Sequence, residues 1–297
     1  MLDEFISGDV NRMSPEAPVP ILLVKRRIFK LGGAGNVARN ISSLGGNVGI
    51  LSIIGSDYYS NKFIKIIKLD KKIKQHFIKV ANYQLPIKTR FLNKTNQLLR
   101  VDKEDTKLKI KDLEKIFLKK FLLVLKKYNL VVISDYNKGL LSKSLLKKII
   151  KICRLNDKKV LIDPKKEDFS AYTNADIITP NSKELSLAAG FSIKGNKDFE
   201  NQAKKFLNDF NFSNILITRS EDGMMLVSKD KVMNFSTKAK RIYDVTGAGD
   251  TVIGTIALGE SVNLNISDSI KLANFAAGIV VGKNGTAVAT VNDMLKL

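Results

Sequence analysis

The sequence predicts an α/β domain with a mostly parallel central sheet, helices on both of its faces and a small β lid. From residue 48 onward, short apolar β-branched runs alternate with amphipathic stretches of helical spacing. Alternation of this kind builds parallel strands whose crossover helices cover both faces of the sheet. Two segments, 4–24 and 85–102, break that rhythm and read as short strands outside the main sheet. No repeat, low-complexity linker or Pro/Ser-rich break divides the chain, so 1–297 reads as a single domain.

Taken in order, Glu4–Val24 holds three prolines and ends in an apolar run. Gly33-Ala34-Gly35 opens an apparent helix, and Val48–Ile54 has the apolar, β-branched content of a strand. Leu85–Asp102 alternates polar and apolar residues around a turn near Asn93–Asn96. Helical spacing then predicts Asp112–Lys127, Ser142–Leu155, Lys183–Ala189 and Lys197–Phe210 as helices. Leu130–Ser134, Val160–Asp163, Asp176–Thr179 and Ile215–Thr218 read as the strands between them, and Thr251–Gly259 as a late helix. Ligands of such sheets bind beyond the carboxyl ends of the strands. Asp135, Asp163, Lys165, Asn181 and Ser220 all follow a predicted strand.

Composition excludes several chemistries. Cys153 and His76 are the only residues of their types, which rules out an internal disulfide, a Cys/His zinc site and a His-based triad. No apolar run reaches the roughly 18 residues that a membrane span needs. The chain opens Met1-Leu2-Asp3-Glu4, without a basic stretch and apolar core, so no secretory signal is expected and the cytoplasm is. The formal charge of +21 invites a nucleic-acid reading, but only nine of the 50 basic residues are arginine. The lysines are scattered over helical segments as solvated faces would be, so neither nucleic acid nor membrane is an expected partner.

The sharpest chemical signal is Asp244-Val-Thr-Gly-Ala-Gly-Asp250, which runs into a helix. A Gly-Ala-Gly turn at a helix start leaves backbone N–H groups unpaired at the positive end of the dipole, and such a terminus binds phosphate. Asp250 beside an anion hole would repel the anion. Its natural role is to take the proton from a hydroxyl attacking the phosphate. The plainer alternative is an ordinary helix start capped by Asp.

Four further segments stand in a consistent order with this one: Gly32-Gly33-Ala34-Gly35-Asn36, Ser134-Asp135-Tyr136-Asn137-Lys138-Gly139, Asp163-Pro164-Lys165 and Thr179-Pro180-Asn181-Ser182-Lys183-Glu184. Together they resemble the ribokinase-like, PfkB-type sugar kinases over essentially the whole chain. Asn11–Pro20, the Asp135-Tyr136-x-Lys138-Gly139 run and Phe275–Thr286 are similar to kinases that act on D-glycero-β-D-manno-heptose 7-phosphate.

The resemblance implies ATP and Mg²⁺ as cofactors and a sugar phosphate as substrate. Asp250 would be the base, and Gly247, Ala248 and Gly249 the anion hole. Asn181, Ser182, Lys183 and Glu184 match a motif governing Mg²⁺ and the ATP phosphates, with Glu184 acting through water; an Asn/Glu capping box is the structural alternative. Lys165 would offset phosphate charge, Thr218, Ser220 and Gly223 contact the nucleotide, and Asn274 flank the adenine. Asp244 and Thr246 match positions that hold a monovalent cation, potassium, in many relatives.

On the sugar side the resemblance implies Asp3, Gly32, Gly33, Asn36 and Asp135. A cationic clamp for the extra phosphate would draw on Arg12, Lys88, Arg90, Arg100 and Lys138, with Arg90 and Lys138 best placed. The lid segments would cover the sugar and pair two copies as a homodimer. Relatives also place a β-strand ending in Gly-Asp just before the stretch equivalent to Met1-Leu2-Asp3. A first strand is therefore expected to be missing, leaving backbone of its neighbours unpaired. The expected activity is ATP-dependent phosphorylation of the heptose phosphate at its 1-hydroxyl, giving the 1,7-bisphosphate for lipopolysaccharide core synthesis. The alternatives are another ribokinase-like sugar kinase and an inactive, N-terminally truncated paralogue.

Overall fold

The computed structural model describes residues 1–94, 96–105, 112–237, 243–283 and 285–296. Strands β1 (Leu2–Met13) and β2 (Pro20–Leu31) lead into helix α1 (Ala34–Ser43). Next come β3 (Val48–Ile50), β4 (Ile53–Ile54), α2 (Tyr58–Ile67), β5 (Ile73–Gln75) and β6 (Ile78–Lys79). The hairpin β7 (Ile87–Asn93) and β8 (Asn96–Lys103) precedes α3 (Leu113–Leu125), β9 (Leu130–Ser134), α4 (Lys143–Leu155) and β10 (Lys159–Asp163). The chain continues with β11 (Ile177–Ile178), α5 (Ser182–Ala189), α6 (Gly195–Phe210), β12 (Asn214–Thr218), β13 (Met224–Ser228) and β14 (Val232–Phe235). It closes with α7 (Ala248–Ser261), α8 (Ile266–Val281) and α9 (Val291–Met294).

The main sheet has the order β14-β13-β12-β11-β10-β9, parallel from β9 to β12 and antiparallel beyond. Alternation along its strands feeds two cores. Val160 and Ile162 of β10, like Ile215 and Ile217 of β12, pack with Phe117 of α3, Leu145 of α4 and Phe206 of α6. Leu161 and Leu216, pointing the other way, join Val37 and Ile41 of α1, Ile253 of α7 and Ile270 of α8. Both faces are therefore covered, which is why these strands lack polar alternation.

The two segments outside the main sheet form a separate sheet, β2-β1-β7-β8. Its strands are longer than the short ones expected: β1 and β2 have 12 residues each, and β2 runs on to Leu31. Continuous antiparallel pairing from Leu2↔Leu31 to Met13↔Pro20, relieved by bulges, sustains that length. Thr95 of the expected turn and residues 106–111, just ahead of the expected helix Asp112–Lys127, lie outside the described residues.

Val48–Ile54, expected as one strand, is interrupted at Leu51 and Ser52 into β3 and β4. Their partners β5 and β6 keep the same register, and the N–H groups of His76 and Ile78 donate to Ile50 and Ser52 across the break. Among the described residues β3 pairs only with β5, and β9 only with β10. Between their free edges lies an apolar cavity of about 810 Å³, walled by Val37 and Ile41 on one face and Phe121 and Leu125 on the other. The gap thus separates two strand edges that have no strand partner on that side among the described residues.

Candidate active site

A second cavity, of about 340 Å³, opens at the carboxyl ends of the main-sheet strands. Asp135 follows β9; Asp163, Pro164 and Lys165 end β10; Thr179 and Asn181 follow β11; Thr218, Ser220 and Gly223 follow β12. Opposite them stand Gly247, Ala248, Gly249 and Asp250 at the start of α7, with Asn274 from α8. Twelve positions picked from sequence, spread over 140 residues, thus line one space.

Gly247 is the N-cap of α7 at φ 86°, a left-handed conformation that glycine adopts freely. A Cβ there would also lie 2.7 Å from Asn36 Nδ2. No side chain caps the helix, so its first-turn amides are open to an anion. One expected donor is already engaged: the Ala248 N–H donates to the Val245 carbonyl at 3.2 Å. The other two expected donors are Gly247 and Gly249.

Asp250 is buried and takes two hydrogen bonds. Asn36 Nδ2 donates to Oδ2 at 2.8 Å, and the Tyr136 hydroxyl to Oδ1 at 2.9 Å. Burial pushes the carboxyl up to about 7, opposed by those two donors and reinforced by the Asp3 charge. A carboxylate poised near neutrality is suited to proton abstraction. Asp163 is held well above the usual carboxylate range by burial, then by the neighbouring charges of Asp250 and Glu184.

Asn181 and Glu184 form a capping box at α5. Asn181 Oδ1 accepts from the Glu184 N–H at 2.9 Å, and Glu184 Oε2 accepts from the Asn181 N–H at 3.0 Å. Glu184 Oε1 accepts from Lys165 Nζ at 3.0 Å. The structural alternative is therefore present, on residues that also line the cavity. Ser182 Oγ donates to the Thr218 carbonyl at 3.4 Å, and Lys183 is exposed. Among the described residues, no group of three His, Cys, Asp or Glu side chains could hold a metal ion. A Mg²⁺ that takes most of its ligands from water and substrate needs only one or two carboxylates, and Glu184 would fit that donor set.

The sugar-side candidates divide. Asp3 is buried against Gly32, and Arg90 Nη1 donates to its Oδ1 at 2.7 Å. Gly33, at φ 55°, is the N-cap of α1 and packs under the Tyr136 ring. Asn36 follows one turn later and reaches Asp250. Asp135 lines the cavity, and its oxygens accept from the Asn137 N–H in its own loop and from the Tyr172 hydroxyl beyond β10. Lys138 pairs with Glu104 beyond β8 at 2.6 Å, linking the two sheets, and Lys88 and Arg100 share Asp102. Arg12 is not brought to this group. It is exposed on β1, ten residues and about 30 Å of strand beyond Leu2.

Two further residues were not picked out. Tyr136 lines the cavity and binds Asp250. Thr286 packs near Gly247, and its buried hydroxyl, like Asn36 Oδ1, has no protein partner among the described residues. Orphaned buried oxygens are what a bound hydroxyl or water would satisfy. Both residues stand inside motifs, which was the one available signal.

Residues 2–293 match the model of the pfkB family of carbohydrate kinases. The chain belongs to the pfkB family. As a member of it, the protein is an ATP-dependent sugar kinase. It is 38% identical over 298 residues to the bifunctional protein HldE of Campylobacter fetus, covering all of this chain and 64% of that one. It is 36% identical over 296 residues to that of Paramagnetospirillum magneticum, covering 99% of this chain and 61% of the relative. The chain thus spans less than two thirds of the length of these relatives. In fold it is similar to phosphofructokinase-2 of Escherichia coli in complex with substrates and products, with a TM-score of 0.82 at 19% identity over 99% of this chain and 95% of that one. Ribokinase from Thermotoga maritima gives a TM-score of 0.76 at 19% identity, with the same coverage. The ribokinase-like fold, the mostly parallel sheet and the kinase class expected from the sequence all stand. No helix among the described residues is long and apolar enough to cross a membrane.

Proposed function

We propose that this pfkB-family chain phosphorylates D-glycero-β-D-manno-heptose 7-phosphate at its 1-hydroxyl, giving the 1,7-bisphosphate for nucleotide-activated heptose and lipopolysaccharide core. The carrying observation is whole-chain identity of 36–38% to HldE proteins, joined to Asp250 standing between the sugar turn and the nucleotide cavity. Asp250 takes the proton of the attacking hydroxyl as its oxygen bonds to phosphorus. The amides of Gly247 and Gly249 stabilise the charge on the transferring group. Asp3, Gly32, Asn36 and the Arg90 pair position the sugar. When bound, Mg²⁺ neutralises phosphate charge; Glu184 would hold it through water, and Lys165 would share the load.

Asp244 Oδ1 accepts from the Thr246 N–H at 2.9 Å and Oδ2 from the Gly285 N–H at 3.0 Å. Each oxygen keeps a lone pair, which fits a monovalent cation beside α7; a related fold, phosphofructokinase-2 of Escherichia coli, is known in complex with potassium. The lid sheet exposes Leu23, Val24, Leu99 and Val101, and two copies would cover these in a cytoplasmic homodimer. Size-exclusion chromatography with light scattering tests that: a monomer at micromolar concentration removes the dimer.

ADP release by the purified chain, with ATP and Mg²⁺, decides the substrate. The panel is heptose 7-phosphate, ribose, fructose 6-phosphate and no sugar. Turnover confined to the heptose phosphate is expected; turnover with another sugar instead moves the substrate, and silence with all removes the proposal.

A further inference from the structure

We propose that Tyr136 is a positioning residue for the phosphoryl transfer: its phenol orients the Asp250 carboxylate toward the acceptor hydroxyl and its ring closes the sugar turn. The proposal rests on Asp250 being the base. Two contacts carry it. The Tyr136 hydroxyl donates to Asp250 Oδ1 at 2.9 Å, while the ring lies over Gly33, where an added Cβ would meet it at 3.2 Å. One side chain therefore touches both the base and the turn expected to hold the sugar.

Asn36 fixes Oδ2 from α1 and Tyr136 fixes Oδ1 from the loop after β9, so the carboxylate cannot rotate freely. Each oxygen retains a lone pair for the acceptor hydroxyl. The groups facing Asp250 are Asn36 of α1, Tyr136, Asp3 of β1 and Asp163 of β10. Of these, Asp3 adds like charge, which leaves Asn36 and Tyr136 as the side chains that stabilise ionised Asp250. Burial, and then the Asp250 charge, hold the phenol well above its ordinary range, so it stays a donor throughout the working pH range. A phenylalanine would keep the ring on Gly33 and lose only this bond.

The experiment compares pH profiles of kcat/KM for the full chain, Tyr136→Phe, Asp250→Asn, and a chain carrying 3-fluorotyrosine at position 136. Loss of a hydrogen bond to a charged group moves a pKa by about one unit. Tyr136→Phe should raise the acid limb by that amount and lower kcat/KM about fivefold at pH 7, with KM for ATP unchanged. The fluorinated phenol, a stronger donor, should move the limb the other way. Should Tyr136→Phe not fold, the fluorotyrosine chain decides alone. An acid limb that coincides with that of the native chain in these variants overturns the proposal. Failure of the base assignment looks different: Asp250→Asn itself would then keep its turnover.

Discussion

Asn36 Nδ2 donates to Asp250 Oδ2 at 2.8 Å, joining residues 214 apart in sequence. The first turn of α1 and the first turn of α7 are thereby one unit. The bond has a consequence for pH. Asp250 is pushed up to about 7 by burial, and only its ionised form takes a proton. Below that value kcat/KM should fall tenfold per pH unit. Asn36→Ala removes a donor that favours the charged form, so its acid limb should lie higher by about one unit. A limb at the ordinary carboxylate value in the native chain would show that Asp250 is not the titrating base.

Asp250→Asn should trade activity for stability. Turnover should drop by about 10²–10⁴ while ATP affinity is spared. The folded-state pKa lies above the ordinary 3.8, so the folded chain holds the proton more tightly than the unfolded one. Stability from this group is full below about pH 4 and is lost as pH rises toward 7. An amide has no charge to desolvate, can accept from Asn36 and can donate to the Tyr136 oxygen. The variant's Tm should exceed that of the native chain by several degrees at pH 8, with the gain shrinking toward pH 4. Equal Tm differences at both pH values would contradict a buried, raised Asp250.

Arg90 and Asp3 are 9% and 4% exposed in their side chains, so neither charge is screened by water. Removing one partner strands the other. Arg90→Ala should cost about 3–5 kcal/mol in urea unfolding and raise KM for the sugar. Arg90→Lys should recover little of that, since a lysine lacks the planar fork. A loss under 1 kcal/mol would mean that the pair opens to solvent in the free protein.

Glu184 closes a capping box and lines the cavity at the strand ends, and one substitution separates these roles. Glutamine caps a helix as glutamate does but brings no charge to a metal. Glu184→Gln should leave stability within about 0.5 kcal/mol and raise the Mg²⁺ concentration for half-maximal turnover several-fold. Unchanged Mg²⁺ dependence would reduce Glu184 to a cap.

What could be read in the sequence was local. Gly247 to Asp250 combine a turn, a helix start and a carboxylate within four residues, so their chemistry needs no tertiary knowledge. The same holds for Asn181 and Glu184. Tyr136 could not be read this way, because a phenol in a loop acquires a role only when folding sets Asp250 against it. Asp135 is similar: its motif gives no sign that Tyr172, 37 residues on, donates to it as Asn137 does. Arg12 went astray because nothing in its sequence gives the length of β1, which carries it away from the site. The strands themselves were legible, since burial on both faces writes a plain apolar run into Val160–Ile162 and Ile215–Ile217.

The gap between β3 and β9 should be the soft seam of the fold. Among the described residues β10 is paired on both sides and β9 on one, so in hydrogen exchange the segment 130–134 should exchange faster than 159–163. α1 starts beside Tyr136, past the end of β9, and β3 sets off after α1 ends, so β3 and β9 run the same way along the gap. The cavity there is lined by Val48 to Ile50 along one edge and Leu130 to Ser134 along the other. Met1 lies by Gly33 at the Tyr136 end, its α-amine lowered to about 6 by burial. A short Val/Ile-rich segment fused ahead of Met1 would replace that amine by an amide and could pair with both edges. It should slow exchange at 130–134 and raise Tm relative to a Gly/Ser fusion of equal length. Equal Tm for the two fusions, with 130–134 already as protected as 159–163, would mean that the edges are satisfied without a strand between them.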